Sequence, residues 1–135
     1  MSYKIEKIEG IGAKHAETLH KAGIKNTKQL LDQAATKKGR KELAEKTGIE
    51  EQKILKWANM CDLMRIKGVA EEFSELLEAA GVDTVKELAQ RRPDNLHKAI
   101  VEANGKRKMV RQLPGLPQCE SWVAQAKALP PTMTY

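Results

Sequence analysis

Ile8-Glu9-Gly10-Ile11-Gly12-Ala13-Lys14-His15-Ala16-Glu17-Thr18-Leu19 sets an apolar residue, a glycine, an apolar residue and a second glycine at the head of a helix. Two glycines one residue apart let the backbone turn through φ > 0 with no Cβ penalty. Beyond them Ala16, Leu19 and Ala22 recur at i, i+3 and i+6 on one face, while Lys14, Glu17 and Lys21 fall largely off it. Gly23 ends the helix as its C′ residue, and Ile24 supplies the apolar side chain that packs back on the last turn. The pattern predicts a tight hairpin ending at a helix N-terminus, where the first amides lack an acceptor inside the helix. Such an end attracts anions, phosphate first among them.

A shift of 58 residues superposes a second copy, Ile66-Lys67-Gly68-Val69-Ala70-Glu71-Glu72-Phe73-Ser74-Glu75-Leu76-Leu77. Gly10 falls on Gly68, Ile11 on Val69, Leu19 on Leu77, Gly23-Ile24 on Gly81-Val82 and Leu30 on Leu88. Asn26 with Gln29, and Thr84 with Glu87, stand at the N-cap and N3 spacing of a capping box. Glycines, core positions and caps that agree at one offset predict an internal duplication. The copies differ at one telling place. Ala70 replaces Gly12, and Glu71 and Glu72 follow it. Two carboxylates already satisfy a helix dipole and repel phosphate, so the second hairpin reads as structural.

The length of 135 residues suits one domain with a core that needs no metal or disulfide. Aromatic residues are only 4% of the chain, so Leu, Ile, Val, Ala and Met must fill that core. The net charge is +6, spread as two mildly basic ends and a neutral middle. That balance permits nucleic-acid binding without demanding it. Cys61 and Cys119 have no CxxC spacing, and buried, reduced thiols are the plain reading. No apolar run reaches spanning length and the N-terminus has no signal core, which predicts a cytoplasmic protein without a membrane partner.

Residues 3–9 offer one turn or an extended lead-in. Helices are predicted near 13–22 and 27–35. The basic run Thr36-Lys37-Lys38-Gly39-Arg40-Lys41 comes next, either a phosphate patch or a solvated loop, and leads into a helix that stops at Gly48. A helix near 51–65 has a wide apolar arc of Ile54, Leu55, Trp57, Ala58, Cys61 and Met64, as a central helix would. Trp57 on that stripe reads as core before it reads as a stacking platform for a base. Helices near 70–80 and 84–91 follow. Pro93 opens another to about 104, which Gly105 ends, and Pro117 starts a last one to about Leu129. No segment alternates as a strand does.

With both copies in view, the chain resembles bacterial tandem helix-hairpin-helix proteins of domain-of-unknown-function family 4332. The resemblance rests on Ile8-Glu9-Gly10-Ile11-Gly12, Gly39-Arg40-Lys41-Glu42-Leu43-Ala44 and Asp62-Leu63-Met64-Arg65-Ile66-Lys67-Gly68-Val69. Leu76-Leu77-Glu78-Ala79-Ala80-Gly81-Val82-Asp83-Thr84, Glu87-Leu88-Ala89-Gln90-Arg91 and Trp122-Val123-Ala124-Gln125-Ala126-Lys127 extend it over nearly the whole chain. It implies an all-α bundle of about eight short helices built from paired hairpins. The reading makes residues 1–135 one domain, with the first copy at 3–50, the second at 51–104 and a C-terminal helix and tail at 105–135.

The wider helix-hairpin-helix resemblance implies sequence-independent binding of DNA through hairpin amides and adjacent lysines. Carried over, it nominates Gly10, Ile11, Gly12, Ala13 and Lys14 as phosphate contacts. Lys7, Lys37, Lys38, Arg40 and Lys41 add charge, and Lys67, Gly68, Val69 and Ala70 are weaker counterparts. An RNA backbone presents the same chemistry. The competing reading is a helical protein-interaction scaffold whose glycines serve the turns alone. No enzyme is predicted: His15 and His20 do not share a helix face, His97 stands apart, and no triad, phosphate loop or dinucleotide fingerprint occurs. The reading therefore includes no metal, cofactor or small-molecule substrate.

Overall fold

Glycines and caps punctuate the chain into helices much as the sequence predicts. The computed structural model describes residues 2–8 and 10–135, so Glu9 of the first hairpin lies outside the described residues. A short 3-10 turn, Ile5–Lys7, is followed by α1 (Gly12–Lys21), α2 (Thr27–Ala34), α3 (Lys37–Thr47) and α4 (Glu51–Leu63). Then come α5 (Glu71–Ala79), α6 (Val85–Ala89), α7 (Pro93–Lys106) and α8 (Leu116–Ala128). The described residues form no strand, only an isolated antiparallel bridge between Lys4 and Asn26. The fold is all-α.

The helix ends follow side-chain chemistry. Asn26 Oδ1 accepts the Gln29 amide at 2.8 Å, Thr36 Oγ1 accepts that of Gly39 at 3.0 Å, and Thr84 Oγ1 accepts that of Glu87 at 3.3 Å. Each thereby satisfies one amide of a first turn. At the C-termini of α1 and α5 the amides of Gly23 and Ile24 bond back to His20 and Leu19, and those of Gly81 and Val82 to Glu78 and Leu77. The 58-residue offset thus recurs bond by bond in the backbone.

Two hydrophobic clusters result. The first gathers Ile5, Ile8, Ile11, Leu19, Leu30 and Leu43 against Ile54 and Trp57 of α4. The second gathers Ile66, Val69, Leu76, Leu77, Leu88 and Ile100 against Trp122 of α8. Helix α4 serves both: residues Ile54 to Cys61 belong to the first cluster and Leu63 to the second. Helix α8 packs on α6 and α7 as α4 packs on α2 and α3. Leu19 and Leu77 are fully buried, each worth about 1.5–3 kcal/mol. Burial of this kind, more than propensity, holds helices of this length together.

Two sequence expectations need correction. The run 37–41 is not a loop, because Thr36 caps a helix that begins at Lys37. That helix turns Arg40 inward, to 5% exposure, where its Nη1 donates to the carbonyls of Ala34 (2.9 Å) and Ala35 (3.2 Å) and its Nη2 to that of Thr134 (2.9 Å). Arg40 therefore joins structural elements and does not belong to a surface patch. Likewise, Gly105 does not end α7, which runs on to Lys106. The stop comes from Asn104, whose Oδ1 accepts the amides of Met109 (2.8 Å) and Val110 (3.1 Å) and so turns the chain.

Candidate functional site

The first hairpin is built on three isoleucines. Ile5, Ile8 and Ile11 are buried, and the Ile8 amide donates to the Ile5 carbonyl at 3.0 Å, the Ile11 amide to the Ile8 carbonyl at 3.2 Å. This ladder holds the apolar side chains inward and leaves Lys7 and Gly10 exposed. Gly10 at φ +82° and Gly12 at φ +70° then swing the chain into α1. A Cβ at either would meet no atom within 4 Å, so the requirement for glycine is torsional.

The helix that opens there has no side-chain cap: Ile11 holds the N-cap position and offers no acceptor. Among the described residues nothing accepts the amides of Gly12, Ala13 or Lys14, and the first turn carries no acid. Lys14 is exposed and has no ion-pair partner among the described residues. One turn on, His15 bonds through Nδ1 to the Ile11 carbonyl at 3.1 Å, and its ring lies against Trp57. Gly10, Gly12, Ala13 and Lys14 thus meet at one exposed tip. Ile11 serves differently, since its side chain is core and its amide is already spent.

The second hairpin repeats the ladder and then closes. The Ile66 amide donates to Leu63 at 3.1 Å and the Val69 amide to Ile66 at 3.0 Å. Gln125 of α8 covers Lys67: its Oε1 accepts the Lys67 amide at 2.8 Å and its Nε2 donates to the Lys67 carbonyl at 3.1 Å. Gly68, at φ +97°, stands so close to α8 that a Cβ there would lie 3.2 Å from Trp122 Nε1. Ala70 takes an extended φ of −111° where Gly12 is left-handed, and α5 begins with Glu71 and Glu72. The amides of Lys67 and Val69 are thereby already bonded within the protein, while Gly68 and the Lys67 side chain remain exposed.

The remaining basic nominees stand on α3. Lys37, Lys38 and Lys41 are exposed, and Lys38 lies 4.0 Å from Glu42. No bond or ion pair among the described residues ties them to the hairpin tip. Sequence reasoning missed one further charged residue of the interior. Asp62, 1% exposed, accepts the Val85 amide at 2.8 Å through Oδ2 and Arg65 Nη1 at 2.7 Å through Oδ1. Its place on the apolar arc of α4, between Cys61 and Leu63, is the signal that marks it.

Burial raises the thiol pKa of both Cys61 and Cys119, helped by the nearby charges of Asp62 and Glu120, so both stay protonated and unreactive. Among the described residues no three His, Cys, Asp or Glu side chains group to hold a metal ion. No described helix is long and apolar enough to cross a membrane.

No curated protein and no solved structure matches the chain. A family model described as a domain of unknown function, DUF4332, matches residues 9–129, nearly the full length, and the chain belongs to that family.

Proposed function

We propose that the protein binds the sugar–phosphate backbone of nucleic acid, DNA in the first instance, without reading sequence. In this reading residues 5–21 form a helix-hairpin-helix unit. The amides of Gly12, Ala13 and Lys14 hold one phosphate, with the Lys14 ammonium beside it. Lys7 adds charge next to the hairpin, and Lys37, Lys38 and Lys41 add it on α3. The observation that carries the reading is the asymmetry between the two hairpin helices: α5 opens with Glu71 and Glu72, whereas the first turn of α1 is exposed and holds no acid. No catalytic step, cofactor or metal enters it, and RNA offers the same backbone chemistry. The two free thiols fit the reducing cytoplasm of a bacterium.

A single open hairpin gives a weak grip, on the order of micromolar or weaker, that salt abolishes. The acidic second hairpin, bonded to Gln125 of α8, favours a second reading, a helical scaffold for a protein partner whose hairpins only join helices. Amide chemical shifts during titration with a short duplex separate the two. Phosphate binding moves Gly12, Ala13 and Lys14 and leaves Lys67 and Val69 in place. Stationary amides at the first hairpin would refute it.

A further inference from the structure

Arg40 is buried without a counter-charge. Only 5% of it reaches solvent, and among the described residues it makes no ion pair. Its hydrogen bonds go to main-chain carbonyls alone, those of Ala34 and Ala35 at the end of α2 and that of Thr134, where residues 132–135 return across the first half. The Tyr135 ring adds a face 5.5 Å from the guanidinium carbon. Carbonyl dipoles and a ring soften the loss of water but cancel no charge. An arginine buried this deeply is ordinarily paired with an acid. Arg65 shows the ordinary arrangement: it holds the Pro130 carbonyl at 2.9 Å and pairs with Asp62 at 2.7 Å.

The bonds to Ala34, Ala35 and Thr134 leave the N–H on Nε and one on Nη2 without an acceptor among the described residues. Nε is not sealed in, because every described side-chain nitrogen shut away from solvent has a partner. What remains open of Arg40 lines a cavity of about 260 Å³, whose other walls are Lys37, Glu51, Gln52, Leu55 and Tyr135. Leu55 belongs to the apolar arc of α4 and is only half-buried, so the cavity also offers an apolar floor.

We propose that this cavity binds a small organic carboxylate. Its oxygens pair with the spare donors of Arg40, and its flat or aliphatic body rests on Leu55 and Tyr135. Charge selects the class. Lys37 and Arg40 stand against Glu51, a balance of one positive charge that suits a monoanion better than a phosphate monoester, which carries nearly two negative charges. No residue of the first hairpin lines the cavity, so the site is separate from the function proposed above.

The test follows backbone amide shifts of the full-length protein titrated with benzoate and with hexanoate, and with benzamide as the neutral isostere of benzoate. At least one carboxylate should shift the amides of Lys37, Arg40 and Leu55 saturably, and benzamide should leave them in place. Lys37→Glu and Gln52→Glu change exposed residues and spare the carbonyl bonds of Arg40. Each variant, its fold confirmed by circular dichroism, should weaken carboxylate binding about tenfold by placing a second acid at the cavity. Lys14→Glu, at the hairpin, should bind the carboxylate as wild type does, which separates this site from general charge attraction and from the phosphate reading. No saturable shift with either carboxylate, an equal response to benzamide, or undiminished affinity in either cavity variant would overturn the proposal. Weakening by Lys14→Glu as large as that by the cavity variants would overturn it too.

Discussion

His15 and Trp57 stand with ring centroids 5.2 Å apart and planes tilted by 57°. Phe73 and Trp122 repeat the arrangement at 5.4 Å and 53°. His15 and Phe73 are partners at the 58-residue offset, whereas Trp57 and Trp122 come from α4 and α8, so each half ends with a tryptophan helix over its own hairpin helix. The likeness reveals the difference that matters. Beyond its tryptophan, α8 sends Gln125 onto Lys67 of the second hairpin, and α5 opens with Glu71 and Glu72 where the first turn of α1 has no acid.

Gly12 needs a left-handed backbone and has open space around it, so Gly12→Ala should cost about 1–2 kcal/mol through torsion alone. Gly105 supplies the contrast. It lies inside α7 with nothing near its missing Cβ, and Gly105→Ala should stabilise by about 0.5–1 kcal/mol. Urea denaturation of both variants checks the pair. An unchanged midpoint for Gly12→Ala would contradict the turn.

Asp62 caps α6 through Val85 and orients Arg65, which in turn holds the Pro130 carbonyl. Asp62→Ala removes the acceptor from both and should destabilise by about 2–3 kcal/mol, part of the Arg65 loss being recovered by water. Asp62→Asn should lose less, because its amide oxygen still caps one partner. Equal losses in the two variants would show that the cap is not what matters.

Burial raises the pKa of Glu78 above the ordinary glutamate value, against the opposing pull of Lys56 at 3.7 Å. A raised carboxyl pKa means that the folded state holds its proton longer than the unfolded state. The resulting stability is therefore fully present below the ordinary glutamate range and is lost as pH rises through the folded value. Thermal melts should show this decline in the window just above that range, and Glu78→Gln should flatten it. An identical pH profile for the variant would remove Glu78 as the cause.

Much of the fold was legible because glycines, prolines and caps act locally. Gly23 and Gly81, Asn26 and Thr84, Pro93 and Pro117 all sit where their chemistry predicts. What escaped depended on helical phase or on distance along the chain. Arg40 looked like one more surface cation until the Thr36 cap fixed the start of α3, which places it one turn before Leu43 on the buried face. That cap was readable from Thr36 and the helix beyond it. Closure of the second hairpin by Gln125 and the return of residues 132–135 involve partners far away in sequence, and no local pattern announces them. The acids Glu71 and Glu72 marked the second hairpin as different from the first, though the covering helix was not foreseen.

The most direct test of the account is fluorescence anisotropy of labelled duplex DNA at low and near-physiological salt, with wild type, Lys14→Glu and Lys67→Glu compared after circular dichroism confirms their folds. The account predicts wild-type binding that falls steeply with salt, is lost in Lys14→Glu and survives in Lys67→Glu. Absence of binding at low salt, or equal binding by wild type and Lys14→Glu, would contradict it.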